Sequence, residues 1–268
     1  MMLRCRQLLK LSFCITCVVL LADDSADAGR RRRRCCDAKP SCCDSTTGSS
    51  HDAAPAPQPA DAAYEEPNAP AAEDDPEAGF SAIFNGKDLE GWQGATEGYE
   101  VLEGGVLASK ADSGGNLFTT KEYANFALRF EFKLTPGSNN GIALRSPLEG
   151  TSAYVGMEIQ VLDDTADQYK DLQQYQYHGS IYGVAAAERG HQKPVGEWNE
   201  QEIVCNGKHV TVTLNGHVIV DADIEKASTP ETLDKQPHPG LLRETGFIGF
   251  CGHGAHVEFR NLRVKTLD

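Results

Sequence analysis

The chain has 268 residues, a formal charge of −14 and 24% charged side chains. Both of its parts are acidic: residues 1–78 carry nine Lys or Arg against thirteen Asp or Glu, and residues 79–268 carry sixteen against twenty-six. No contiguous basic stretch is left in the second part to neutralise phosphates, which excludes nucleic acid as its partner and leaves sugars, cations and proteins open.

At the start, Arg4, Arg6 and Lys10 precede the 12-residue apolar run Leu11–Ala22, and Ala26-Asp27-Ala28 offers small residues for cleavage. The run is short for a membrane span, so residues 1–28 are expected to be an export signal, with an uncleaved anchor as the alternative. The protein is accordingly expected to be secreted, periplasmic or held in the cell envelope. Seven of the nine cysteines precede residue 44, and Cys35, Cys36, Cys42 and Cys43 follow the block Arg30–Arg34. Paired cysteines in an exported segment suggest disulfides, within it or between chains. Vicinal pairs lack the Cys-x-x-Cys spacing of a four-cysteine metal site. The Arg block is either a solvated charge run or a contact for an anionic envelope or matrix component. Asp44–Ala78 holds ten Ala, six Pro and nine Asp or Glu in 35 residues. Such a stretch buries too little apolar area to offset its ordering entropy, so residues 29–78 are expected to be a tail and mobile linker.

Residues 79–268 read as one all-β domain, long enough for a well-buried core. Glu103-Gly104-Gly105-Val106 reads as a hairpin turn. Phe126, Leu128, Phe130, Phe132 and Leu134 alternate with Ala127, Arg129, Glu131 and Lys133, a period of two over nine residues. In the next stretch Ile142 and Leu144 alternate with Arg145. Met157, Ile159 and Val161 then share one face of a strand and Glu158 and Gln160 the other, with Asp163 just past its end. Glu158 and Gln160 stand about 7 Å apart on such a strand. If these two strands pair, the Arg145 guanidinium is expected near Glu158, Gln160 and Asp163. Between Glu202 and Asp221, Asn206-Gly207 and Asn215-Gly216 separate three short strands, each pair signalling a type I′ hairpin. Phe247–Cys251 and Val257–Val264 supply the last strands. No long amphipathic helix is apparent. A dozen short strands point to a two-sheet jelly-roll sandwich.

Several short motifs occur in a fixed order. They are Ile83-Phe-Asn-Gly-Lys-Asp-Leu-Glu-Gly-Trp92, Asn139-Asn-Gly-Ile-Ala-Leu-Arg145, Gly156-Met-Glu-Ile-Gln-Val-Leu-Asp163, Gly179-Ser-Ile-Tyr-Gly183, Gly196-Glu-Trp-Asn199, Asn215-Gly216, and His253-Gly254 followed by Phe259-Arg-Asn-Leu262. In them the chain resembles the 3-keto-disaccharide hydrolase domain family, over about residues 80–267. The resemblance implies a concanavalin A-like jelly roll of the lectin and glucanase type, and an activity on 3-keto-glycosides. One departure stands out: where the family usually has a Gln before its His-Gly, this chain has Cys251-Gly252.

In a 3-keto sugar the ketone acidifies the C2 proton, and the glycosidic oxygen at C1 lies β to the carbonyl. Cleavage can therefore run by proton abstraction, elimination and addition of water, which needs a base, an acid and a group to stabilise the enolate. Glu158 is the expected base and Arg145 the expected partner of the enolate oxygen, with Asp163 and His253 as further catalytic candidates. Gln160, Asn139, His178, Tyr182 and Trp198 are expected to bind substrate. Each residue also has an ordinary structural reading: Asp163 as a turn cap, His253 as a turn residue, His178 as a loop histidine, and Trp198 and Tyr182 as structural aromatics. The spacing Glu158-x-Gln160-x-x-Asp163 is similar to the Glu-x-Asp-x-x-Glu of laminarinase-type glucanases. The central Gln leaves a carboxylate-nucleophile mechanism poorly supported. No closed metal-ligand cluster is apparent and no cofactor is expected. A non-catalytic carbohydrate-binding module, or an adhesive protein working through its Arg/Cys segment, fits the same residues.

Overall fold

The computed structural model describes residue 75 and residues 77–268. The expected export signal, the Arg/Cys segment and nearly all of the linker lie outside the described residues.

The described strands are β1 (Ser81–Ala82), β2 (Trp92–Gly94), β3 (Tyr99–Leu102), β4 (Val106–Ser109), β5 (Gly114–Tyr123), β6 (Phe126–Leu134) and β7 (Asn139–Ser146). The one-turn helix α1 (Ser152–Val155) precedes β8 (Met157–Leu162). After a long connection come β9 (Trp198–Asn206), β10 (His209–Leu214), β11 (His217–Asp223), the one-turn helix α2 (Ile224–Ala227), β12 (Gly246–His253) and β13 (Val257–Thr266). They form two antiparallel sheets. The large one runs β11-β10-β9-β6-β13-β4-β3 with β1 added on β13, and the small one runs β2-β5-β12-β7-β8.

β6 shows why these residues make this architecture. Its even-numbered Phe126, Leu128, Phe130, Phe132 and Leu134 are buried between the sheets, while Arg129, Glu131 and Lys133 are only partly covered on the outside. Burying each such apolar side chain is worth roughly 1.5–3 kcal/mol. The sheets meet where Phe250 of the small one packs on Phe259 of the large one, ring centroids 4.3 Å apart. Met157, Ile159 and Val161 of β8 join the same core.

The two Asn-Gly pairs behave differently. Leu214 pairs with His217, leaving Asn215 and Gly216 as a two-residue loop, both at positive φ as a type I′ turn requires. In the other hairpin Asn206 itself pairs with His209, so the loop is Gly207-Lys208, and only Gly207 has positive φ. This is the Gly-first pattern of a II′ loop.

The connection 163–197 shields the outer edge of β8. Its backbone adds a short rung there: Tyr182 N–H donates to Glu158 O at 2.9 Å, Gln160 N–H to Ser180 O at 3.0 Å, and Gly179 N–H to Gln160 O at 2.8 Å. Ile181 bridges Ile159 and Ala185 and enters the core. An otherwise open strand edge is thus closed by the chain itself.

Candidate active site

On β8, Glu158 and Gln160 point away from the core, as the alternation predicts, yet they are only 6% and 5% exposed. The register sets Glu158 opposite Ala143 and Gln160 opposite Gly141. Gly141 has a positional reason: a Cβ there would overlap the Glu158 carboxylate, which lies folded across this backbone. Two residues back along β7, on the same face, the Asn139 side-chain carbonyl accepts from Gln160 Nε2 at 2.9 Å. Glu158, Gln160 and Asn139 therefore form one polar row on the outer face of the small sheet.

Two β12 residues complete the row on the other side of β7. His253 Nε2 lies 3.5 Å from Glu158 Oε1, with about half of the imidazole side chain exposed. Its hydrogen bond to the Glu158 carboxylate, helped by that group's charge, raises the pKa above the usual imidazole value against the opposing effect of desolvation. Cys251 is buried beneath them, packed with Ala143 and Phe118. Burial pushes its thiol pKa well up and the Glu158 charge adds to the effect. Glu158 and Ser152 are the polar neighbours that act on this thiol. Ser152 in turn accepts from Asn116 Nδ2 at 3.2 Å and from Ser146 Oγ at 3.1 Å. The position where the resemblance led to an expected Gln thus neighbours the candidate base.

A wall of aromatic residues stands beside this row. Tyr154 comes from α1, Tyr175 and Tyr182 from the long connection. Tyr175 and Tyr182 meet edge to face at 6.0 Å, and Tyr182 Oη accepts from Gln176 Nε2. Desolvation raises the Tyr154 pKa, and the nearby Asp234, Tyr182, Tyr175 and Glu158 act in the same direction. Behind Tyr154, the His238 ring packs at a tilt of 54° with centroids 4.9 Å apart and is pinned at both nitrogens, Nδ1 to Ala153 O at 2.9 Å and Nε2 to the Asp234 carboxylate at 3.1 Å. A Cβ on Gly183 would strike both Asp234 and His238, which gives the last glycine of Gly179-Ser-Ile-Tyr-Gly183 its reason.

Four sequence-based expectations are corrected. Arg145 does not stand beside Glu158. Its φ is +48° and the β7–β12 register shifts beside it, which breaks the alternation that placed it. The guanidinium donates instead to Ala124 O at 2.8 Å, Gly207 O at 2.7 Å and Asn125 Oδ1 at 3.2 Å, fastening the β5–β6 and β9–β10 turns together. Asp163 is a turn cap. Its carboxylate accepts from Gly137 N, Thr165 N and Thr165 Oγ1, and although burial opposes ionisation these bonds hold the pKa below the usual carboxylate value. His178 is a core histidine, 2% exposed, with its ring tilted against Phe132 at 4.9 Å between centroids. Its Nδ1 accepts from Leu162 N–H, so Nε2–H donates to Gln201 Oε1, and burial lowers the pKa to about 4. Trp198 belongs to the large sheet, with Arg260 4.0 Å and Lys133 4.9 Å from its ring.

Glu158, Gln160, Asn139, His253 and Tyr182 are brought together. Tyr154, Tyr175, Asp234, His238, Cys251 and Ser152 were not anticipated. Tyr154 lies between Gly150 and Gly156, whose tight turns were a readable hint of a positioned side chain. His238, in Pro237-His-Pro239, sits in a stretch with no periodicity and gave no signal. Among the described residues no group of three or more His, Cys, Asp or Glu is placed to hold a metal ion.

The fold and this outer face define the class: an antiparallel two-sheet jelly roll with a polar row on the small sheet. Residues 79–265 match the model of the 3-keto-alpha-glucoside-1,2-lyase-like domain, and the chain belongs to that family. It is 28% identical over 231 residues to a 3-keto-disaccharide hydrolase of Bacteroides thetaiotaomicron, covering 71% of this chain and 79% of that one. Two crystal structures from Parabacteroides distasonis, each of a "putative glycosyl hydrolase", superimpose with TM-scores of 0.62 and 0.61 at 30% and 26% identity. They cover 70% and 71% of this chain, and 99% and 94% of their own.

Proposed function

We propose that the domain cleaves 3-keto-glycosides, with Glu158 removing the C2 proton. The observation that carries this reading is the Glu158–His253 pair, 3.5 Å apart on the outer face of the small sheet. The family's lyase-like description and the hydrolase named among its relatives support the same substrate class.

The geometry suggests a division of labour. Glu158 is held over Gly141, beside the Cys251 thiol and against His253, so its carboxylate has one position to act from. Pre-set geometry of this kind is what a base contributes to rate. Arg145 is engaged elsewhere, so the enolate needs another cation. With its pKa raised, His253 carries positive charge over a wider pH range than a free imidazole. While Glu158 is ionised, that charge balances the carboxylate. Once Glu158 takes the C2 proton, negative charge moves to the sugar O3, and the same imidazolium can face it. The electron pair then expels the C1 oxygen, which leaves as the alcohol by taking a proton from the incoming water; the oxygen of that water adds to C1 while Glu158 returns its proton to C2. Gln160 and Asn139 present the row that fixes the sugar hydroxyls. The apolar run at residues 11–22 is the support for placing this activity outside the cytoplasm.

The test is to incubate the protein with matched 3-keto and unoxidised disaccharides and follow monosaccharide release. Only the 3-keto substrates should be cleaved, because an ordinary C2 proton is too weakly acidic for a carboxylate. Glu158→Gln should lower turnover by about a hundredfold or more with a much smaller change in KM. Equal cleavage of unoxidised sugars, or near-normal activity of Glu158→Gln, overturns the reading. Sugar binding without turnover on any keto substrate makes the domain a binding module.

A further inference from the structure

His238 and Asp234 form a buried pair, their side chains 1% and 6% exposed, and neither has a part in the proposed elimination. The acceptors around the ring fix its protons. A backbone carbonyl can only accept, so His238 Nδ1, 2.9 Å from Ala153 O, carries a proton. Nε2 lies 3.1 Å from both oxygens of the Asp234 carboxylate, so it also carries a proton wherever that carboxylate is ionised. Burial opposes the ionisation, but bonds from Gln236 N–H, the Thr232 hydroxyl and His238 hold the Asp234 pKa below the usual carboxylate value. The ring is therefore an imidazolium in a buried, hydrogen-bonded ion pair. Taking away its second proton sets a nitrogen lone pair against a carboxylate and leaves a buried charge without its partner, which is strongly unfavourable.

The pair ties together the two segments that flank β8. On one side, Ala153 belongs to α1, which runs through Gly156 and Met157 straight into Glu158. Gly240 N–H donates to Tyr154 O at 2.9 Å, and the two backbones are so close that a Cβ on Gly240 would overlap the Val155 carbonyl. On the other side, Asp234 N–H donates to Gly183 O at 3.1 Å. The residue before it, Tyr182, donates its N–H to Glu158 O at 2.9 Å. Residues 234–240 thus strap α1 and the edge segment of β8 to each other through the ion pair. A one-turn helix has little stability of its own, so the placing of α1 depends on such ties. The titratable groups around the ring are few. Tyr154 faces it from α1, and Glu231 and Lys235 of its own segment line the same cavity, paired with each other at 3.6 Å. The long connection brings the Gly183 backbone and the Tyr175 phenol, whose ionisation the Asp234 charge opposes.

Resting on Glu158 as the base, we propose that His238 is a positioning residue: as an imidazolium it clasps both flanks of the Glu158 strand, and loss of its second proton releases them. The clasp is present above the usual carboxylate range, where Asp234 is ionised, and is lost as pH falls through the lowered Asp234 value. It is also lost on the alkaline side, where the ring gives up its second proton. One substitution separates this from ordinary packing. Thr232 Oγ1 and Gln236 N–H hold Asp234 Oδ1 at 2.9 and 3.0 Å, so in Asp234→Asn the amide nitrogen takes the place of Oδ2 opposite Nε2. An amide donates to an unprotonated imidazole nitrogen, and the clasp then closes on a neutral ring. Alkaline release should therefore disappear.

The experiment uses the full chain, and its first two readings need no substrate. Nitrogen-15 NMR of the histidine rings near neutral pH, with His238 assigned through its contact to the Tyr154 ring, should show both ring nitrogens protonated. A neutral ring overturns the proposal. Amide exchange, corrected for its own pH dependence, then follows Gly240 and Tyr182 N–H. Their protection should fall about tenfold or more as the wild-type ring loses its second proton, the worth of one charge-assisted hydrogen bond. Over the same range it should hold steady in Asp234→Asn, and an equal fall in both proteins overturns the clasp. The third reading is kcat/KM on a 3-keto disaccharide, to which His253 contributes alike in both proteins. It should follow the protection, so that Asp234→Asn keeps more of its neutral-pH activity at the alkaline end than the wild type does. Activity indifferent to the protection overturns the positioning role. No wild-type turnover on any keto sugar, with the first two readings as expected, overturns the elimination and not the clasp.

Discussion

The outer faces of the two sheets are both polar, but their polar groups are arranged in opposite ways. On the large sheet, charges neutralise one another across strands. Glu77 joins Arg129 at 2.8 Å and Arg263 at 2.6 Å, Arg129 joins Glu202 at 2.5 Å, Arg260 joins Glu131 and Lys133 joins Glu258, both at 2.6 Å. Hydrogen bonding from Arg263 and Arg129 holds the Glu77 carboxyl down at about 2, against the small cost of its desolvation. On the small sheet, a carboxylate, an amide pair and a half-exposed imidazole stand together with far fewer charges to balance them. The first face is complete without a ligand. The second has polar capacity left over, and that difference, more than polarity itself, marks the site.

The strongest way to test the comparison is through the residue first assigned to the wrong side of it. Arg145→Ala removes the buried guanidinium that donates to the Ala124 and Gly207 carbonyls and to Asn125 Oδ1, untying the two turns. Denaturant unfolding should show a loss of about 3 kcal/mol, from several charge-assisted hydrogen bonds worth about 1.5–3 kcal/mol each and not fully additive, while the folded fraction keeps its turnover number. A loss of turnover at unchanged stability would return Arg145 to the site. Next in size, Gly141→Ala forces the Glu158 carboxylate off its seat. Turnover should fall by about a hundredfold, as expected when a reacting group is displaced by about 1 Å, with the melting temperature moving much less.

How the sequence misplaced Arg145 explains what it could and could not reveal. A period of two locates side chains only while the strand stays regular. It worked for β6 and for Glu158 and Gln160, whose strands hold their register. It failed at Arg145, where positive φ and a register shift end the alternation. It was silent on which sheet a strand joins, so Trp198 was grouped with residues on the far side of the sandwich. The closing wall, Tyr154 and the His238–Asp234 pair, comes from segments without periodicity and is fixed by contacts across 85 positions of chain. Seven ordered motifs carried the family, because their glycines mark backbone requirements such as Gly141 and Gly183.

Smaller effects sharpen the contrast. Trp198→Ala should cost about 1 kcal/mol for each cation it loses, seen as a lower melting temperature, with kcat/KM unchanged. A fall in kcat/KM would make the large sheet part of the site. The smallest effect is in the His253 pair. Because Glu158 raises the folded-state pKa of His253, the pair's stabilisation is fully present below the unfolded imidazole value and is lost as pH rises through the folded one. For a half-exposed pair this amounts to about 0.2–1 kcal/mol. Melting curves across that window should converge for the wild type and His253→Asn at the alkaline end and separate at the acid end. Separation at the alkaline end instead would mean that the pair is not held together by charge.

The most direct test of the account follows the hydrogen at C2. Cleavage of a 3-keto disaccharide is run in D2O, and the released 3-keto sugar is examined early by NMR. If Glu158 removes that proton and exchanges it with solvent before water addition is complete, deuterium appears at C2 in step with cleavage. Glu158→Gln then gives neither cleavage nor deuterium. Near-normal cleavage by Glu158→Gln with the original hydrogen retained at C2 would contradict the account and place the chemistry at C1 alone.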